Sequence, residues 1–286
     1  MKLTNTNRLA GLLSASALAI SLVAIVQPAM AGISTTKHNL GSTGSAGNFV
    51  SDTAEICVFC HTPHGSNTVV AAPLWNKATT ATAAANGYTM YTSANSATFD
   101  SNPTGAQPGN ISLACLSCHD GTQAMDNIIN APGAGGYSST GSGITGRAYI
   151  WTGNVRIDSG GQGRLANSGA LIPMLDTDLR NDHPIGMNYC AGSNGVTIAS
   201  TTTCADKDFN VGNGGLASAR SWIDTSVGTV GTYEKTDLPL YKSGEAAPLS
   251  STRVECATCH DPHSNNATFL RIVNTGSAVC LACHTK

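Results

Sequence analysis

The chain has 286 residues, with 15 Lys+Arg against 17 Asp+Glu for a formal net charge of -2, and only 11% charged and 5% aromatic residues. Ordinary soluble domains carry about 25% charged residues, so this surface offers no basic face for nucleic acid and little like-charge repulsion against self-association. Large side chains are too few to fill a core for a chain of this length, and the filling has to come from another source of apolar surface.

The N-terminus reads as an export leader. Lys2 and Arg8 precede an uncharged run from Leu9 to Val26, followed by Pro28 and the small-residue triplet Ala29-Met30-Ala31. An apolar run of about 18 residues is borderline for a membrane span, and the proline beside an A-x-A site favours cleavage. Residues 1–31 are therefore expected to be a signal peptide. The mature chain then starts at Gly32, carries 13 basic and 17 acidic residues, and has no further membrane-spanning segment.

The first half, residues 32–119, opens with His38 and a Gly- and Ser-rich stretch, Gly41 to Gly47, that has no helical or strand periodicity and reads as a mobile arm. It continues with Cys57-Val58-Phe59-Cys60-His61-Thr62-Pro63-His64, then Pro73-Leu74-Trp75-Asn76, then Cys115-Leu116-Ser117-Cys118-His119. Pro63 should end any helical turn and turn His64 outwards. Residues 120–182 hold no cysteine or histidine and read as a loop-rich connection, with Ala148 to Trp151 as a strand of a hairpin. The second half, residues 183–286, repeats the plan. His183 stands before Pro184, Pro239-Leu240-Tyr241 echoes Pro73-Leu74-Trp75, and two units follow: Cys256-Ala257-Thr258-Cys259-His260-Asp261-Pro262-His263 and Cys280-Leu281-Ala282-Cys283-His284. The mature chain is thus an imperfect duplication. Cys190 and Cys204 belong to no such unit; after export they can pair, for about 3 kcal/mol in the chain-entropy model, with zinc binding as the alternative.

A C-x-x-C-H run in an exported chain is the attachment sequence for c-type haem (heme c). The thiols form thioethers to the haem vinyl groups, and the following histidine binds iron. This assigns Cys57, Cys60, Cys115, Cys118, Cys256, Cys259, Cys280 and Cys283 to covalent attachment, and His61, His119, His260 and His284 to proximal ligation. The remaining histidines are His38, His64, His183 and His263. Eight histidines for four irons match bis-histidine coordination throughout; Met90, Met125, Met174 and Met187 are the other possible ligands and would raise a haem's potential. By reach along the chain, His64 goes to the haem on Cys115 and Cys118, and His263 to the haem on Cys280 and Cys283. His38 and His183 complete the other two in an order left open. Six-coordinate irons leave no vacant position for a substrate, which points to electron transfer and away from a multihaem reductase.

In this order, Lys37-His38-Asn39-Leu40, CVFCHTPHG, PLWN, CLSCHDG, DHPIG at Asp182 to Gly186, CATCHDPH, Phe269-Leu270-Arg271 and CLACH resemble the doubled C-x-x-C-H multihaem cytochromes. The chain is similar in particular to the OmcE-type tetrahaem cytochromes that polymerise into extracellular nanowires. The resemblance implies a fold of mostly irregular coil with short helices and a few short strands, wrapped around four covalently bound haems. It also implies a homopolymer in which one haem takes a histidine from the adjacent subunit; position on the N-terminal arm gives that role to His38. Other redox proteins or extracellular electron acceptors would be its partners. A soluble monomeric shuttle in the periplasm, with His38 folded onto its own chain, is the competing reading.

Overall fold

The computed structural model describes residues 32–44, 49–70, 72–78, 87–93, 107–132, 136–138, 149–152, 164–165, 174–191, 204, 206–211, 221–242 and 252–285. The expected leader, residues 1–31, lies outside them. Among the described residues no helix is long and apolar enough to cross a membrane.

Coil dominates the described chain. Its helices are short: α1 (Asn110–His119), α2 (Cys256–Cys259) and α3 (Ala278–Cys283), each containing or ending on a C-x-x-C-H cysteine pair. Helix α1 starts at Gly109, whose extended backbone (ψ 167°) makes it the N-cap. It stops at Asp120, where Gly121 takes the left-handed φ of +68° that favours glycine at a helix end. Ser112, Ala114, Leu116 and Ser117 of α1 are buried, so burial surrounds much of the helix instead of forming one stripe.

Strands β1 (Phe49–Val50) and β2 (Trp151–Thr152) pair antiparallel, with Val50 opposite Trp151. Of the run expected as a strand, residue 148 lies outside the described residues and Trp151 alone enters a strand, which meets a segment about 100 residues earlier instead of closing a local hairpin. A larger antiparallel sheet of β3 (Met187–Asn188), β4 (Ser221–Ile223), β5 (Leu238–Lys242) and β6 (Thr252–Val254) has the order β3-β6-β5-β4. Pro239 fits inside β5 because β6 pairs only with Tyr241 and Lys242, so no ladder bond on that side needs its missing N–H. Met187, Tyr189, Ile223, Leu238, Leu240 and Val254 pack with Cys190 and Cys204 into one buried cluster. Those two cysteines form a disulfide, Cα–Cα 4.9 Å, which settles their role in favour of pairing over zinc.

Elsewhere, buried amides tie loops together where large apolar side chains are lacking. Asn76, fully buried, donates from Nδ2 to the carbonyls of Val58 (2.6 Å) and Asn130 (2.9 Å), while its Oδ1 accepts from Asn130 N–H (2.9 Å). Lys77, also fully buried, donates from Nζ to the carbonyls of Ala124 (3.1 Å) and Met125 (2.8 Å). Buried donors of this kind stabilise a fold only when partnered, and here each partner is a backbone carbonyl of a different loop.

Of the expected mobile arm, Gly41 to Gly47, residues 41–44 are tied to the rest of the chain, and residues 45–47 lie outside the described residues. Gly41 is buried, Ser42 N–H donates to Thr53 O (2.7 Å), and Val50 N–H donates to Leu40 O (2.8 Å). A Cβ at Gly41 would lie 2.9 Å from Glu55 O, so the close backbone approach accounts for the glycine.

Candidate functional site

The four C-x-x-C-H segments are numbered here in chain order as sites 1 to 4. At site 1, a 3-10 turn over Cys57–Phe59 brings His61 N–H onto Cys57 O (2.7 Å), which draws the cysteine pair and the following histidine into one tight turn. Trp75 pins this turn: its backbone bridges to His61, and its ring lies edge-on to the imidazole at 6.2 Å. The echo of that motif acts at site 3, where Tyr241 Oη donates to Ala257 O (3.4 Å). At site 4, Asn210 Nδ2 donates to Leu281 O (2.8 Å), Ala282 O (3.3 Å) and His284 O (3.3 Å), and Phe209 packs against His284 at 4.8 Å.

Three pairs of histidine rings face one another: His61 with His263 at 6.2 Å, His38 with His119 at 6.2 Å, and His183 with His284 at 6.5 Å. Two imidazoles sharing one metal ion through bonds of about 2.0 Å, each with its ring centre roughly 1.1 Å beyond the bound nitrogen, have centres about 6.2 Å apart. Each pair contains one histidine from a C-x-x-C-H segment and one outside. His64 and His260 face no histidine ring among the described residues, and both are exposed.

These pairings differ from those expected by reach. His263 meets site 1 instead of site 4, His38 meets site 2, His183 meets site 4, and His64 does not meet site 2. The reason is the course of the chain after Pro262. Asp261 N–H donates to Phe269 O (2.8 Å) and Ser264 N–H to Asp261 O (2.9 Å), folding that loop so that the two C-x-x-C-H-x-P-H units meet. His38, expected on a free arm, is half-buried and stacked on Phe269 (4.1 Å, 15°).

Ring hydrogen bonds set the tautomers. Nδ1 of His61, His260, His183 and His38 lies against the carbonyl oxygens of Pro73 (2.7 Å), Thr268 (2.8 Å), Pro184 (3.0 Å) and Pro262 (3.4 Å). A carbonyl can only accept, so Nδ1 carries the proton and Nε2 keeps the lone pair for a metal. Burial, with His119 next in weight, lowers the His38 pKa to about 4, and burial also lowers His183. Both are thus held in the neutral, ligating form.

The thiols run as a contiguous series. Cys115 and Cys256 of sites 2 and 3 are hydrogen-bond partners, which raises the first thiol and lowers the second. Cys118 acts on Cys60, and Cys280 on Cys259. Burial pushes Cys60 and Cys283 up to about 12 and Cys259 to about 11, although each keeps some accessible surface. Orphaned buried donors fit a haem: the indole Nε1 of Trp75, packed near Cys60, that of Trp151, packed near Cys118, and Arg253 Nε find no acceptor among the described residues. Carboxylate side arms of a haem would supply acceptors. Of the methionines considered as ligands, Met125 and Met174 pack in the cluster that includes Cys118, Met187 in the one that includes Cys283, and Met90 with Tyr88 and Leu116.

Between sites 2 and 3 lies a carboxylate that the motif reading missed. Glu255 accepts from Gly109 N–H at the start of α1 (3.1 Å to each oxygen) and from the Ser112 hydroxyl, and Ser112 Oγ accepts from Cys256 N–H (3.0 Å). An acidic residue directly before a C-x-x-C-H helix is its only sequence signal.

No curated protein matches the chain. Residues 247–286, which contain sites 3 and 4, match the family described as the doubled CXXCH motif. With the cysteine and histidine geometry above, that match supports a multihaem c-type cytochrome domain carrying covalently bound haem c in electron transfer.

Proposed function

We propose that the chain is a tetrahaem cytochrome whose irons are all bis-histidine ligated, and that copies polymerise outside the cell into an electron-conducting filament. The observation that carries this reading is the unequal result of ligand matching. Three histidine pairs stand at metal-sharing distance inside one chain, while His64 and His260 are left unmatched and exposed. A second copy resolves both at once, with His64 of one subunit completing site 3 of its neighbour. This replaces His38 as the donated ligand, since His38 already faces His119 in its own chain.

The bound haem supplies one-electron chemistry between ferric and ferrous iron. The residues do the rest. Paired thiols would fix each haem covalently, Nδ1 contacts orient the imidazoles, and two histidines for each iron would leave no vacant position for substrate. Proximity of successive thiol pairs supports short steps between centres. The low charge of the chain weakens repulsion between copies.

His64→Ala tests the proposal. Electron microscopy of the secreted fraction should show filaments for the wild type and none for the variant, and the variant should have one of its four haems in the high-spin form. Filaments with four low-spin haems in the variant would refute the donated ligand. Monomers with four low-spin haems in the wild type would favour the soluble periplasmic shuttle.

A further inference from the structure

The residue after each C-x-x-C-H histidine is a threonine at sites 1 and 4, Thr62 and Thr285, and an aspartate at sites 2 and 3, Asp120 and Asp261. Three of them turn to the scaffold. Thr62 Oγ1 donates to His64 O (3.0 Å), Asp120 accepts from Tyr88 Oη (2.7 Å) and from Thr122 N–H and Oγ1 (2.8 Å each), and Thr285 Oγ1 donates to Lys207 O (3.1 Å). Asp261 instead reaches a ligand ring. Its Oδ1 lies 3.3 Å from His263 Nδ1 and also accepts from His263 N–H (2.9 Å), while its Oδ2 lies 3.2 Å from Lys235 Nζ. The Asp261 side chain is nearly buried, at 9% exposure, whereas Lys235 is 68% exposed.

We propose that Asp261 is a positioning residue which, through His263, makes site 1 more reducing than its ligands alone would make it, and that Lys235 limits the effect. The inference rests on the reading that His61 and His263 share the site 1 iron. A carboxylate accepting the Nδ1 proton makes the other ring nitrogen a stronger donor, and a stronger donor favours ferric over ferrous iron. The negative charge itself acts in the same direction, and its burial weakens solvent screening. His38, His61, His183 and His260 give their Nδ1 protons to neutral carbonyls. Site 1 therefore has a full charge behind one of its rings. The exposed ammonium on the other oxygen draws part of that charge away, with its own influence weakened by solvent.

The experiment is a potentiometric titration of the intact holoprotein followed by electron paramagnetic resonance, on wild type, Asp261→Asn, Lys235→Met and His263→Ala. Asn keeps the oxygen that accepts from His263 N–H, so the turn survives the change. In Asp261→Asn, the component that His263→Ala converts to high spin should shift its ferric-to-ferrous ratio about tenfold toward ferrous at the wild-type midpoint, or about 59 mV for one electron. In Lys235→Met the same component should shift the opposite way by a smaller amount. An Asp261→Asn titration in which that component stays in place, moves toward ferric, or moves together with the other three would overturn the inference. If His263→Ala leaves every haem low-spin, the ligation reading has failed and the inference falls with it.

Discussion

Glu255 gives the sharpest test of how the haem-bearing helices are joined. Its carboxylate, 1% exposed, binds Gly109 N–H and the Ser112 hydroxyl across from its own helix α2. Burial raises its pKa from 4.5 to about 7, against the opposing pull of Ser112, Gly109 and Arg253. The folded state thus holds this proton more tightly than the unfolded chain does. Its contribution to stability is full below the unfolded value and is lost as pH rises from there through the folded value. The shift of about 2.5 units corresponds to about 3 kcal/mol. Glu255→Gln removes the titration while keeping an acceptor for Gly109. Urea unfolding of the intact holoprotein, followed by the haem absorption band, should show the variant gaining about 3 kcal/mol on the wild type between about pH 4 and about pH 8. The falling His38 and His183 ionisations are common to both proteins and cancel in the difference. An equal difference at both pH values would refute the argument.

The ring geometry predicts the magnetic spectrum. The His61 and His263 planes meet at 18°, those of His38 and His119 at 68°, and those of His183 and His284 at 64°. Near-parallel axial imidazoles give a rhombic low-spin ferric signal, and strongly crossed ones a more anisotropic signal with a large leading g value. Site 1 should give the first kind and sites 2 and 4 the second; three rhombic signals at those sites would show that the ring angles are wrong. At site 4, removing the Cys190 and Cys204 disulfide by a double change to Ser should cost about 3 kcal/mol. Because Tyr189, next to Cys190, donates from Oη to Asn210 O (2.8 Å) and Cys283 O (3.2 Å), site 4 ligation should be lost at lower urea than that of the other sites. Simultaneous loss at all four would show that the disulfide does not act through this contact.

The four C-x-x-C-H segments were legible because thioether chemistry, where it occurs, imposes a fixed local spacing on the chain. The disulfide was legible by elimination, since Cys190 and Cys204 lay outside every unit. The coil-rich fold was expected from the resemblance to the doubled C-x-x-C-H cytochromes, and the described residues are indeed mostly coil with short helices and a small antiparallel sheet. The pairing of histidine rings was not legible. It depends on contacts such as His38 with His119 and His61 with His263 that cross 81 and 202 residues, and reach along the chain cannot decide among such closures. The framework carried by Asn76, Lys77, Asn210 and Glu255 was equally hidden, since a buried amide or charge looks like a surface residue until its partners are known.

The two C-x-x-C-H-x-P-H units show how nearly identical sequence comes to different ends. In both, the proline separates two histidines by three residues, and in both the first histidine donates its Nδ1 proton to a backbone carbonyl. The variable residue between them then decides the course of the chain. Thr62 spends its hydroxyl on His64 O, and His64 ends exposed. Asp261 instead accepts from the backbone and ring of His263 and draws in Lys235, and His263 turns to His61 of the other unit. The copy with the carboxylate thus closes a contact inside the chain, while the copy with the hydroxyl leaves a ligand on the surface. On the proposed assembly, the unit with the carboxylate supplies an internal coupling between centres and the unit with the hydroxyl supplies the link from one subunit to the next.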